Sequence, residues 1–232
     1  MKVARLSTPD VLDALDRGRD RGPIDRALLL LALAEGERDR GALLEVDVGA
    51  RDRALFALRD RVFGGELLLT ATCPKCQERL ESSLDIEDLA SAPPANSSWV
   101  FEDGGVEVCV RLPNSADLLA AGGCSSEAEA RTLLLSRCVS TPVSEQGAAR
   151  ALDELARRDA CDVVLSLACA ACGHDFQSAF DIASFLWTEL EAWAELVLDE
   201  VHVLARAYGW REEEILALSP KRRHAYIERV LA

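Results

Sequence analysis

The clearest pattern in the chain is a helical repeat of apolar residues towards its C-terminal end. From Ile182 to Tyr208 they recur every three or four positions, and polar and charged residues occupy the opposite stripe. This spacing predicts one long amphipathic helix that ends at Gly209. Two shorter helices are predicted after it, in REEEILAL and PKRRHAYIERVLA. The last one carries three basic residues in its first turn, where the helix dipole disfavours cations.

The first third of the chain is also predicted to be helical. Thr8 as N-cap and Pro9 in the first turn indicate a helix that ends at Gly18, and IDRALLLLALAEGE a second that ends near Gly36. LLEVD is expected to be a short extended piece. It precedes an amphipathic helix that ends at Gly64-Gly65.

Two segments alternate apolar and polar residues at period two and also repeat each other. LLLTATCPKCQERLESSLDI (67–86) aligns without a gap with VVLSLACAACGHDFQSAFDI (163–182), at an offset of 96 residues. Each predicts a β-hairpin with a CxxC sequence at its turn. A third hairpin is predicted from WVFE and VEVCVRLP, which flank the turn residues Asp103-Gly104-Gly105.

The two CxxC pairs indicate a metal site. One pair supplies half of a tetrahedron, so the predicted zinc ligands are Cys73, Cys76, Cys169 and Cys172, which together form a four-sulfur structural site. The alternatives are a redox dithiol, a disulfide pair and cysteines without metal. A thioredoxin-type CxxC opens a helix, whereas the residues after both pairs alternate as strands do.

These elements predict an α+β fold that is mostly helical, with a small zinc-ribbon-like β unit made of the two CxxC hairpins and a long C-terminal helix. The first two predicted segments are an N-terminal helical segment (1–45) and a helix with the first zinc hairpin (46–86). An inserted α/β unit (87–162), which opens with the linker-like stretch 87–99, precedes the second zinc hairpin and the C-terminal helices (163–232).

Composition and charge narrow the range of compartments and partners that we expect. Apolar residues make up 49% of the 232-residue chain, yet no stretch approaches the length of a membrane span, and the charged N-terminus does not resemble a signal peptide. We therefore expect a cytoplasmic protein. The net charge of −14 comes entirely from residues 63–232, which would repel a phosphate backbone, so nucleic acid is not an expected partner. The acidity fits either solubility or the docking of a basic protein.

No motif in the chain indicates catalysis. His174, His202 and His224 have no nucleophile or acid at motif spacing, and Walker, GxGxxG, GxSxG and HExxH patterns are absent from the sequence. Four thiolates would also close the coordination shell that a catalytic zinc keeps open. A non-enzymatic protein is expected.

Three stretches of the sequence carry a resemblance to a known family: FGGELLLTATCPKC, CAACGHDFQSAFDIASFLW and LARAYGWREEEILALSPKRRHAYIERVL. In this order they resemble the bacteriophage T4-type baseplate hub assembly family, found in contractile phages and phage-tail-like contractile injection systems. The resemblance runs from about Asp47 to the C-terminus, and its most specific part is Tyr208-Gly209-Trp210 followed by the acidic cluster, Arg222-Arg223 and Tyr226. It implies an assembly chaperone or minor component that binds hub or spike proteins and that stays in the cytoplasm or is retained in the particle.

We expect the partner surface to lie in the segment 185–231, because aromatic residues and arginine dominate protein interfaces. The candidate partner-binding residues are Trp187, Trp193, Trp210, Arg222, Arg223 and Tyr226. The first-turn cations of the last helix are expected to pair either with Glu212–Glu214 or with a partner. The alternative function is a zinc-ribbon protein-interaction adaptor unrelated to phage tails.

Overall fold

The computed structural model describes residues 7–36, 39–90, 98–158 and 163–231. Within these residues the chain forms eleven helices and three two-stranded antiparallel sheets. The helices are α1 Thr8–Gly18, α2 Pro23–Glu35, α3 Arg40–Glu45, α4 Val48–Phe63, α5 Ile86–Ala90, α6 Ser115–Ala121, α7 Glu127–Cys138, α8 Glu145–Arg158, α9 Ile182–Tyr208, α10 Glu212–Leu216 and α11 Pro220–Leu231. The strands are β1 Glu66–Thr72, β2 Arg79–Asp85, β3 Ser98–Asp103, β4 Val106–Arg111, β5 Val163–Ala168 and β6 Asp175–Phe180.

The main hydrophobic core joins parts of the chain that are distant in sequence. It contains buried side chains of α1, α2, α4 and β1 together with the first half of α9, as far as Ala194. Trp187 of α9 is only 2% exposed, and the Arg26 guanidinium lies 4.9 Å from the centre of its ring. The helices of the first third therefore share one core with the long C-terminal helix.

The three predicted hairpins are all present. In the first, Leu67 pairs with Leu84, and in the last, Val163 pairs with Phe180. Because side chains alternate across a strand, Leu67 and Leu69 of β1 are buried while Leu68 between them is 71% exposed. Each CxxC hairpin thus packs one face on the core and leaves its other face to solvent.

The inserted residues have a smaller core of their own. Phe101, Val108 and Val110 of β3–β4 pack with Ala151 of α8. The start of α6 connects this unit to the main body, since the Val48 amide donates to the Pro113 carbonyl at 2.9 Å. The insertion is therefore a folded α/β unit, as the sequence predicted.

The long helix has the predicted bounds, Ile182–Tyr208. Asp181 caps its start by accepting a hydrogen bond from the Ala183 amide at 3.0 Å, and Gly209 ends it with a φ of 69°. With 27 residues, α9 is about 40 Å long. Its second half extends beyond the main core and packs on α10 and α11.

The stretch LLEVD does not begin as an extended piece, contrary to our expectation. Residues 40–45 form α3, which Asp39 caps by accepting hydrogen bonds from the amides of Gly41 and Ala42, both at 3.2 Å. The linker-like stretch 87–99 is also partly helical, since α5 extends to residue 90, and residues 91–97 lie outside the described part of the chain.

Candidate metal centre

The first CxxC turn connects β1 to β2 and is held by two backbone hydrogen bonds. The Cys73 amide donates to the Glu78 carbonyl, and the Gln77 amide donates to the Cys73 carbonyl, both at 2.9 Å. Closing this turn places Gln77 at a φ of 62°, in the left-handed region. A residue with a Cβ adopts that region only at a cost in free energy.

The second CxxC turn has the same backbone pattern 96 residues later. The Cys169 amide donates to the His174 carbonyl at 2.9 Å, and the Gly173 amide donates to the Cys169 carbonyl at 2.8 Å. Gly173, the counterpart of Gln77, has a φ of 67°. The second turn therefore uses the residue that this conformation favours, and the first does not.

The structure brings all four predicted cysteines together. Their sulfur atoms lie within 4.8 Å of one another. Across the two hairpins, the Sγ atoms of Cys73 and Cys172 are 3.7 Å apart, and those of Cys76 and Cys169 are 3.6 Å apart. A disulfide would require about 2.05 Å, so the four are free thiols that can bind one metal ion.

The sulfur cluster lies at the edge of the protein. Cys73 and Cys169 are 0% and 2% exposed, Cys172 is half-buried and Cys76 is exposed. The cluster is therefore buried on the side of Cys73 and Cys169, and a small solute can reach it from the side of Cys76.

The proton affinities of the thiols are strongly unequal. Burial raises the pKa of Cys73, but hydrogen bonds from the amides of Cys76 and Lys75 and from neighbouring thiols outweigh it and lower that pKa to about 6. The backbone hydrogen bond at His174 lowers the pKa of Cys172, but burial and the three other thiols together raise it to about 12. A bound cation would lower the pKa of all four thiols, because it favours the thiolate form of every ligand.

The other cysteines of the described chain lie outside this cluster. Cys109 and Cys124 are not among its members, and Cys161 lies outside the described residues. Burial, together with the charge of Asp117, raises the pKa of Cys138 to about 11. Cys138 is therefore a protonated, buried side chain at neutral pH. His174 stacks on Phe176 with ring centres 6.3 Å apart, and it does not belong to the sulfur cluster.

The structural repeat is longer than the sequence repeat. The offset of 96 residues also relates α4 (Val48–Phe63) to α8 (Glu145–Arg158), and α5 to the start of α9. Asp85 and Asp181, at equivalent positions, accept from the amides of Glu87 and Ala183, both at 3.0 Å. The cysteine cluster thus lies between two helix–hairpin–helix units. The two preceding helices were predicted from the sequence, but their equivalence was not.

Two of the six candidate partner-binding residues are buried. Trp187 is 2% exposed in the main core, and Arg223, also 2% exposed, donates from Nε to the Glu200 carboxylate at 2.6 Å. Burial prevents both side chains from touching a partner in this structure, so their role here is structural. Trp193 is half-buried and packs against the main core.

The other three candidates lie where α9, α10 and α11 meet. The rings of Tyr208 and Trp210 stack with centres 4.7 Å apart, and Tyr226 meets both edge-on at 5.8 and 5.0 Å. Arg222 is exposed in the first turn of α11. Tyr208, Trp210 and Tyr226 therefore form one aromatic cluster, with Arg222 exposed on the helix that carries Tyr226.

A comparison of the chain with protein families, curated proteins and solved structures found no match. Among the described residues, the helices are too short or too polar for one to cross a membrane.

Proposed function

We propose that Cys73, Cys76, Cys169 and Cys172 hold one structural zinc ion. Four sulfur atoms at about 2.3 Å from a tetrahedral zinc ion lie about 3.8 Å from one another. The distances across the hairpins, 3.7 and 3.6 Å, differ little from this value, so binding needs only small shifts. Thiolate ligands favour zinc over harder cations, and a complete set of four makes the ion structural rather than catalytic.

Metal analysis and X-ray absorption spectroscopy of the purified protein test this site. One zinc ion per chain and a shell of four sulfurs at about 2.3 Å are expected. Cys76→Ser should lose most of the metal, whereas Cys124→Ser, the matched control outside the cluster, should keep it. A nitrogen or oxygen ligand in the wild-type shell, or an unchanged zinc content in Cys76→Ser, would contradict the assignment.

We further propose that the protein is a non-enzymatic assembly factor, either a chaperone or a minor component, for the baseplate hub or spike of a contractile phage tail or contractile injection system. The observation that carries this proposal is the clustering of Tyr208, Trp210 and Tyr226, because these residues belong to the motif on which the resemblance to that family rests. The closed sulfur set supports a role without metal catalysis.

Co-expression with the hub and spike proteins of the particle tests the assembly role. We expect the wild-type protein to capture one of them, and Trp210→Ala to lose that capture. Arg222→Ala, an exposed change with little effect on folding, should weaken capture, whereas Arg131→Ala, its exposed control on α7, should not. Mass spectrometry of purified particles then separates a retained component from a chaperone that leaves.

The assembly role fails if zinc-loaded protein captures neither the hub nor the spike protein. If Trp210→Ala and Arg222→Ala both capture normally, the C-terminal cluster is not the binding surface. Neighbouring genes provide a second test. Sheath, tube and baseplate genes beside this gene are expected, whereas their absence, together with capture of proteins unrelated to tails, would favour the zinc-ribbon adaptor.

A further inference from the structure

The charge of the C-terminal helices differs from that of the rest of the chain. Residues 206–231 contain six Arg or Lys and four Glu, whereas the whole chain has a net charge of −14. One of the six, Arg223, is neutralised inside the protein by Glu200. The other five cations and the four glutamates leave this segment with a small positive charge, in contrast to the acidic remainder of the chain.

One face of α11 continues the aromatic cluster. Arg222, Tyr226, Arg229 and Val230 follow the i, i+4, i+7, i+8 spacing, so they share that face. Val230 is 37% exposed and Tyr208 is 40% exposed. We call Tyr208, Trp210, Arg222, Tyr226, Arg229 and Val230 the C-terminal tip. It combines an accessible apolar centre with two arginines on its rim.

The rim arginines have no carboxylate partner among the residues that the structure describes. The Arg229 guanidinium donates only to the Ala225 carbonyl in its own helix. Arg222 does not pair with the acidic cluster of α10, which was one of the two roles considered for it. Glu228 lies on a different face of α11 and pairs with His224 at 3.4 Å. Both rim cations can therefore meet an incoming anion.

We propose that the C-terminal tip binds an acidic segment of a partner protein through an apolar anchor. Aromatic rings and arginine are the residues that contribute most at interfaces, and here they adjoin each other. Because the rest of the chain repels acidic segments, its field directs such a segment towards the basic tip. That the partner is a hub or spike protein rests on the proposed function, whereas the acidic character of the bound segment rests on the tip alone.

Fluorescence anisotropy with labelled synthetic peptides tests the chemistry directly. The probe is a short peptide of alternating Glu and Leu with one Trp. Its controls are the same peptide with Lys in place of Glu, and a Glu-rich peptide without apolar residues. The zinc-loaded protein should bind the acidic apolar probe at least about tenfold more tightly than either control. Equal binding of the acidic and basic probes would overturn the proposal.

Charge reversal locates the binding surface. Arg222→Glu/Arg229→Glu should weaken binding of the acidic probe about tenfold or more. Arg61→Glu/Arg131→Glu, which reverses two exposed arginines elsewhere, should not change it. Unchanged affinity in the tip variant would refute the assignment. So would sedimentation of the wild type as a dimer that the tip variant abolishes, because the tip would then be covered by a second copy.

The peptide assay tests the acidic-segment site and the capture experiment tests the baseplate role, so a negative result in one can be told apart from a negative result in the other. Selective probe binding without capture of hub or spike would overturn the baseplate role and leave the acidic-segment site intact. Capture of a hub or spike protein that tolerates the tip reversal would support the baseplate role and overturn the tip as its binding surface.

Discussion

The two CxxC turns carry different residues at the one position with a positive φ. Exchanging these residues tests how far the turns are equivalent. Gln77 and Gly173 have φ angles of 62° and 67°. A Cβ built on Gly173 meets no atom within 4 Å, so a larger residue there is penalised only by its backbone conformation. We expect Gly173→Gln to lower the free energy of unfolding by about 1 kcal/mol. Gln77→Gly should raise it by about 0.5 kcal/mol, since relief of strain exceeds the entropy lost by glycine.

Thermal unfolding followed by circular dichroism, in the presence of zinc, measures both changes. For a chain of this size, 1 kcal/mol corresponds to about 2–4 °C in Tm. Gly173→Gln should therefore unfold about 2–4 °C below the wild type, and Gln77→Gly about 1–2 °C above it. Gly41→Gln, the matched control in a helix with negative φ, should not lower Tm. The reasoning is refuted if both turn variants shift Tm in the same direction, or if Gly173→Gln has no effect.

Removal of the metal by a chelator should lower the free energy of unfolding by several kcal/mol. Amide hydrogen exchange should then become faster in the two CxxC hairpins and stay unchanged in β3–β4. An equal increase in the exchange rate throughout the protein would contradict this. Hydrogen bonds from the arginines beside it lower the pKa of buried Asp117 to about 2, despite the opposing effect of burial. Its stabilising effect is therefore present above about pH 4 and is lost as the pH falls towards 2, so Asp117→Asn should remove about 1 kcal/mol of stability at pH 7 and almost none at pH 2, and equal losses at the two pH values would refute the ion pairing. Gly18→Ala should destabilise by about 1–3 kcal/mol, because the new Cβ would overlap the Trp187 ring, and a Tm that matches the wild type would show that the ring can move.

Much of the fold could be predicted from periodicity. The 27-residue α9 has the bounds that its apolar stripe indicated, and all three hairpins have the pairing that their turns indicated. Such predictions succeed because the spacing of apolar residues within a short segment distinguishes a helix from a strand. The clustering of the four cysteines could be predicted for the same reason, since one gapless repeat places both CxxC pairs in equivalent turns.

Local pattern was misleading where side chains compete for backbone groups. LLEVD was expected to be extended, but Asp39 accepts from two amides and begins α3. Residues 43–45 are therefore helical, and only Val46 and Asp47 are extended. At the first helix the N-cap is Ser7 rather than Thr8, because the Ser7 hydroxyl accepts from the Asp10 amide at 3.3 Å. Both helix starts depend on hydrogen bonds between one side chain and the backbone amides that follow it.

Burial within a helix-rich C-terminal region was the feature that the sequence could not specify. Trp187 and Trp210 are both aromatic residues at helical spacing or a helix end, yet the first lies in the main core and the second in the C-terminal cluster. Arg223 and Arg222 are adjacent, yet one is buried against Glu200 and the other is exposed. The burial of Arg223 depends on where α11 crosses α9, and that of Trp187 on where α9 packs against the N-terminal helices. No local pattern encodes either contact.

The wide separation of the sulfur pairs has a consequence for synthesis. Cys76 leaves the ribosome 93 residues before Cys169, which at ordinary elongation rates is a delay of about 5–20 s. During that interval only two of the four cysteines of the cluster have been made, and the cysteines that emerge next, such as Cys109 and Cys124, do not belong to it. Binding of the proposed ion by all four cysteines therefore requires Cys172 to have been made, which makes it a late step in folding rather than the first one.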